Sequence, residues 1–185
     1  MKVRRITAIP LLAAAVMCAA EGDYAPIKRK LDSIESDRLP PGARVEFSPA
    51  ELSAYGEKEA PAGVRNPRIH LGTPEVVTGT ALIDFEKVEQ TLGQHPGWLM
   101  SKLLGGERPV SVTARIRSSD GRATVEVQRV EISGVVIDGR TLDFLIQNLL
   151  LPMYPTAVVG RPFELGHRIQ KVDVRTAGVV VVIGR

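Results

Sequence analysis

The chain is 185 residues long, 44% hydrophobic but only 4% aromatic, and carries 24 Lys+Arg against 21 Asp+Glu. Three of the basic residues, Lys2, Arg4 and Arg5, and none of the acidic ones precede residue 21. Residues 21–185 are therefore close to neutral, which excludes the basic excess that a nucleic-acid binder needs, and with Cys18 also in the first stretch they contain no disulfide, thiolate metal site or cysteine nucleophile.

Lys2, Arg4 and Arg5 lead into an uncharged apolar run over 6–20, the n-region and h-region of a secretory leader. The run contains Pro10 and falls short of the roughly twenty apolar residues of a membrane span. Residues 1–20 thus read as a Sec signal peptide cut after Ala20, and the protein is expected in the periplasm or its equivalent. Lipid attachment at Cys18 is the alternative processing, although Ala15-Val16-Met17 departs from a lipobox. Arg4-Arg5 lacks the flanking residues of a twin-arginine signal.

Residues 21–43 read as an N-terminal helix and linker. Pro26 opens the helix, Ile27, Leu31 and Ile34 form a narrow apolar stripe, and Lys28, Arg29 and Lys30 lie on the other side. That basic side suits either anionic lipid headgroups or a solvated face of a helix docked on the domain, and docking is the preferred reading. Residues 44–185 form the domain. Arg44-Val45-Glu46-Phe47 is extended, and Ser48-Pro49-Ala50-Glu51 starts a helix over 49–58 with an N-cap serine, proline at the first helical position and the glutamate of a capping box.

Alternation over 64–83 around Gly72-Thr73-Pro74 predicts a hairpin. Asp84 caps a helix carrying Phe85, Val88 and Leu92, Pro96-Gly97 interrupts it, and a second short helix carries Trp98, Leu99, Met100, Leu103 and Leu104. Val110, Val112, Ala114 and Ile116 alternate with polar residues up to the Asp120-Gly121 turn. On the return strand the apolar parity changes between Val127 and Val130, which requires either a bulge or a strand that passes from one buried environment to another. Val135-Val136-Ile137 reads as an edge segment. Thr141 is expected to cap a helix over 142–151 whose apolar residues cover nearly its whole circumference, so that helix is expected to be buried on most sides. The last hairpin joins 168–175 to 179–183, and the all-aliphatic second strand should be covered on both faces.

The catalytic inventory is thin. No nucleophile elbow, phosphate loop, dinucleotide fingerprint or metalloprotease helix is present, and His70, His95 and His167 are scattered, so neither an enzyme nor a metal site or cofactor is expected. Capping accounts for Asp84, Asp138 and Asp143. The positive signal is an excess of apolar surface, suited either to lining a groove or to filling the gaps of a packed core.

The run 123–137, the helix Leu142-Asp143-Phe144-Leu145-Ile146, the phrase Pro162-Phe163-Glu164-Leu165 and the closing strand from Ile169 to Val174 resemble the carboxy-terminal half of small exported bacterial lipid-binding proteins of the LmeA type, which are thought to be related to the tubular lipid-binding (TULIP) superfamily. Ser48-Pro49-Ala50-Glu51-Leu52-Ser53-Ala54-Tyr55 resembles the helix-start phrase of such modules, and the resemblance spans most of 48–183. It implies an α+β domain with a strongly curved antiparallel sheet wrapped around helices, an aliphatic groove that accepts lipid chains, and no catalytic residue. The groove candidates are Trp98, Leu99, Leu103, Phe144, Leu145, Leu149 and Met153. The expected partner is a lipid or lipid-linked envelope precursor, with membrane-surface contact through Lys28, Arg29 and Lys30. An envelope scaffolding module that binds a protein through an apolar patch or sheet edge is the first alternative, and a hydrolase built from unmarked carboxylates the second.

Overall fold

The computed structural model describes residues 14–91, 105–151 and 158–185, and its first element is helix α1, Ala14–Glu35, with Pro26 inside it. The local expectation was a helix opening at Pro26, because proline lacks an amide proton and crowds the carbonyl four residues back. Packing outweighs that cost. Ile27 and Ile34 are 1% and 5% exposed against Phe47, Val181 and Ile183, and helices in folded proteins owe most of their stability to such a docked face. The basic side of α1 is tied down in part. Lys28 pairs with Asp32 one turn on at 2.9 Å, while Lys30 reaches Glu51 at 2.6 Å and donates to the Glu46 carbonyl at 2.7 Å.

Strand β1, Arg44–Phe47, leads into α2, Pro49–Glu59, and the expected capping box is present in full. Ser48 Oγ accepts from the Glu51 amide at 3.1 Å, and the Ser48 amide donates to Glu51 Oε2 at 2.9 Å. Burial pushes the Glu51 carboxyl upward, but Lys30 and the Ser48 amide outweigh it and hold the group below its ordinary 4.5. A carboxyl held low in the folded state stabilises above the unfolded value, and that contribution disappears as pH falls through the lower folded value. The urea midpoint is therefore expected to fall as pH drops below 4.5. Asp84 and Asp173, held low by Lys87 and Arg175, add to the same trend. Glu51→Gln should cost about 1 kcal/mol at neutral pH and flatten part of that acid dependence, read from urea titrations at pH 7 and pH 3.5.

Every strand pair among the described residues is antiparallel. The six-stranded sheet runs β2-β3-β4-β5-β6, formed by Val64–Leu71, Val76–Asp84, Glu107–Ser119, Arg122–Ile132 and Val135–Ile137, and the two-residue β7, Phe163–Glu164, also pairs with β5. The expected bulge lies on β5: Thr113 faces Arg129 and Ala114 faces Val127, so Gln128 is the extra residue that switches parity. Asp120 and Gly121 turn the β4–β5 hairpin with φ of 49° and 75°. A Cβ at Gly121 would meet only ordinary contact, at 3.7 Å from the Ile169 carbonyl, so the cost of replacing it is conformational. Gly121→Ala should lower stability by about 1–2 kcal/mol, measured by thermal unfolding.

A three-stranded sheet, ordered β1-β9-β8, contains β8, Ile169–Arg175, and β9, Gly178–Ile183. As the all-aliphatic sequence requires, β9 is central and buried on both faces, with Val180 3% and Val181 7% exposed. The sheets meet along β8, where Ser118 Oγ donates to the Val172 carbonyl and accepts from its amide, both at 2.7 Å. The Glu75 amide also donates to the Val174 carbonyl at 3.0 Å. The result is a single α+β domain with open antiparallel sheets.

Among the described residues α2 packs on the larger sheet, where its Ser53 Oγ accepts from the Ile69 amide of β2 at 2.9 Å, and two further helices pack there as well. Asp84 caps α3, Phe85–Thr91, by accepting from the Lys87 amide at 3.2 Å, and Phe85 and Val88 are buried. Helix α4, Gly139–Leu145, continues as π-helical turns through Ile146–Leu150. Here the structure departs from the sequence expectation on two points. Asp138, not Thr141, occupies the N-cap, and no residue of Gly139–Leu145 is buried. Leu142 and Leu145 pack toward Phe85, Val130 and Ile132, whereas Phe144 is 45% exposed. The sheet covers one side of α4, and an apolar circumference cannot supply its own cover on the other. No helix among the described residues is long and apolar enough to cross a membrane.

Candidate functional site: an aliphatic groove

The alternation of β4 and β5 places Val110, Val112, Val127, Val130 and Ile132 on one face of the larger sheet, and this face is the floor of a groove of about 550 Å³. Helix α4 forms one wall through Leu142, Leu145, Ile146 and Leu150. Ile83, Phe85 and Val88 close the end near α3, and Tyr55, Gly56, Ala60, Pro61, Val64 and Pro67 supply the wall between α2 and β2. Gly63 sets that corner: with φ of 95°, its missing Cβ would lie 2.8 Å from the Asp84 carbonyl, and its own carbonyl accepts from the Asp84 amide at 2.7 Å. The close approach holds the start of α3 against the start of β2.

Among the described lining residues Glu59 alone carries a formal charge, and it is engaged. The Tyr24 hydroxyl donates to Glu59 Oε1 at 2.6 Å, and the Tyr24 and Tyr55 rings stack with centroids 6.2 Å apart. Donation to the carboxylate raises the Tyr24 hydroxyl above its ordinary value. The groove can therefore exclude water from an apolar guest along most of its length, and its described lining residues include no nucleophile with an adjacent base. A second concavity, of about 430 Å³ where β4 and β5 meet β8, is polar, and in it Arg117 pairs with Glu75 and Lys171 with Asp173.

Of the sequence candidates, Leu145 lines the groove. Phe144, one residue earlier, projects outward and is not part of the wall. Trp98, Leu99, Leu103 and Met153 lie outside the described residues, as do the expected second short helix and the side chain of Leu149. Sequence reasoning missed the sheet floor as a ligand surface. The alternation of Val110 and Val112 marks an apolar face, but only the placement of α4 decides whether that face is filled or left open. No group of three or more His, Cys, Asp or Glu side chains that could hold a metal ion occurs among the described residues; His70 and His167 are both exposed.

Compared with models of protein families, with curated proteins and with solved structures, the chain shows no significant match.

Proposed function

We propose that this is an exported, non-catalytic envelope protein that binds or carries a lipid or lipid-linked precursor, holding its aliphatic chain in the groove between β4, β5 and α4. The observation that carries the reading is the chemistry of the walls: about 550 Å³ lined, among the described residues, almost wholly by apolar side chains, with the Glu59 carboxylate already occupied by Tyr24. That volume falls within the roughly 300–1,000 Å³ usual for ligand pockets. Each methylene withdrawn from water contributes about 0.8 kcal/mol, so a partly enclosed chain suffices for useful affinity. The leader-like run over 6–20 and the resemblance of 48–183 to LmeA-type modules support the same reading, and a sheet wrapped around helices in the TULIP manner belongs to it. Of the basic residues of α1, Arg29 and Lys28 are exposed and suit an anionic membrane surface, although Lys28 also pairs with Asp32, whereas Lys30 is turned inward to Glu51.

The test is native mass spectrometry, with lipid extraction, of the protein purified from the envelope without detergent. A stoichiometric lipid is the expected result; a clean apo mass would overturn carriage. A second reading is favoured by one feature, the short edge strand β6, where Val135 and Val136 are 62% and 45% exposed. An envelope scaffolding module would use that edge to add a partner's strand.

A further inference from the structure

Glu59 is the last residue of α2, lines the groove and is exposed to solvent, so its carboxylate stands where the groove opens. Tyr24 occupies only part of it: the hydroxyl donates to Oε1, and among the described residues no group donates to Oε2. A carboxylate offers about four acceptor sites, and a neutral phenol fills one of them without cancelling the charge. The charge is also held in place. Tyr55 and Glu59 lie four residues apart on one face of α2, and Tyr24 of α1 stacks on the first at an interplanar angle of 16° while donating to the second. Of the neighbouring charges, Lys28 pairs with Asp32 at 2.9 Å and Glu57 with Arg68 at 3.2 Å. Lys58 is not a lining residue and lies about 100° around the helix from Glu59. Because α2 ends here, with Ala60 extended at the C-cap, the carbonyls of its last turn add negative potential at the same opening.

We infer that Glu59 sets the head-group preference of the groove: its ligand is an amphiphile whose head donates hydrogen bonds, as an ammonium or a hydroxyl does, and a head that is a carboxylate or phosphate next to its chain is disfavoured. The inference rests on the lipid-binding reading and narrows its ligand. The head sits at the α2 end beside Glu59, and the chain runs over Val110, Val112 and Val130 beneath Leu145. No described lining residue offers an anionic head a compensating cation. Tyr24 acts as a positioning residue, holding the carboxylate at the opening through α1.

Isothermal titration of the full chain at pH 7 with decylamine, 1-decanol and decanoate, each below its micelle concentration, keeps the tail constant and varies the head. Decylamine should bind most tightly and decanoate least, with about tenfold or more between them, the size of one charge interaction at a solvent-facing site. The whole chain has a formal net charge of +3, so a diffuse charge effect would give the reverse order. Glu59→Gln, which keeps the size and an acceptor but removes the charge, should shrink the span to about threefold or less. Glu57→Gln, on the same helix end but off the groove, should keep the full span. Equal binding of all three by the wild type, tighter binding of decanoate, an unchanged span in Glu59→Gln, or the same loss in both glutamine variants overturns the head-group inference and leaves the groove. Should Glu59→Gln fail to fold, the wild-type order decides. Absence of binding by all three overturns the lipid-binding reading together with the inference.

Discussion

Ile183→Ala is expected to lower the free energy of unfolding by about 2–5 kcal/mol, a large fraction of what a domain of this size possesses. Ile183 is 1% exposed and lies where α1, β1 and β9 converge, with Ile27, Ile34, Phe47 and Val181 around it. Truncation removes buried methylenes and leaves a cavity that three separate elements would have to move to fill. The site is also pinned by hydrogen bonds: the Ile183 amide donates to the Ala43 carbonyl at 2.9 Å, and its carbonyl accepts from the Gly42 amide at 2.8 Å. Relaxation is thereby limited, which places the cost toward the upper part of the range. Urea denaturation followed by circular dichroism reads the loss as a lower midpoint at unchanged slope. Val136→Ala, on the exposed edge strand, should stay within about 0.5 kcal/mol of the wild type. A loss below about 1 kcal/mol at Ile183 would mean that α1 docks loosely and that this cluster is not a principal core.

Much of this architecture was legible because its signals are local. The capping box at Ser48, the Asp120-Gly121 turn and the edge strand at Val135 each follow from a few adjacent residues whose backbone needs have few other solutions. The bulge at Gln128 was legible for a different reason: apolar parity cannot change along a strand whose inner face stays buried unless a residue is inserted. What the sequence withheld is the arrangement between elements. Pro26 marks a boundary by local rules, but the burial of Ile27 and Ile34 is decided by β9, more than 140 residues away. The hydrophobicity of α4 is equally ambiguous, since it states how much apolar surface exists and not which neighbour covers it. For the same reason Leu145 and Phe144 read alike in sequence, and only the position of β5 separates wall from solvent.

That contrast between neighbours sets up the sharpest functional expectation. Leu145→Asp should weaken binding of decanoate and 1-decanol alike by roughly a hundredfold or more, the equivalent of about 3 kcal/mol from lost apolar contact and an introduced charge. Phe144→Asp, on the exposed side of the same helical turn, should change either affinity by less than about threefold, as surface substitutions do. Both variants place the same carboxylate on the same short helix, so a difference between them reports position rather than helix propensity or net charge. Leu145 is half-buried rather than enclosed and has the groove on one side, so the new carboxylate can reach water and the fold should survive. Circular dichroism checks this, and Leu145→Ala, which removes contact without adding charge, should give an intermediate loss of affinity if the fold of the aspartate variant is compromised. Equal effects at Leu145 and Phe144 would place the guest on the outer face of α4 instead, and would shift the reading from an enclosed lipid chain to a partner bound across the exposed surface of Phe144, Val135 and Val136.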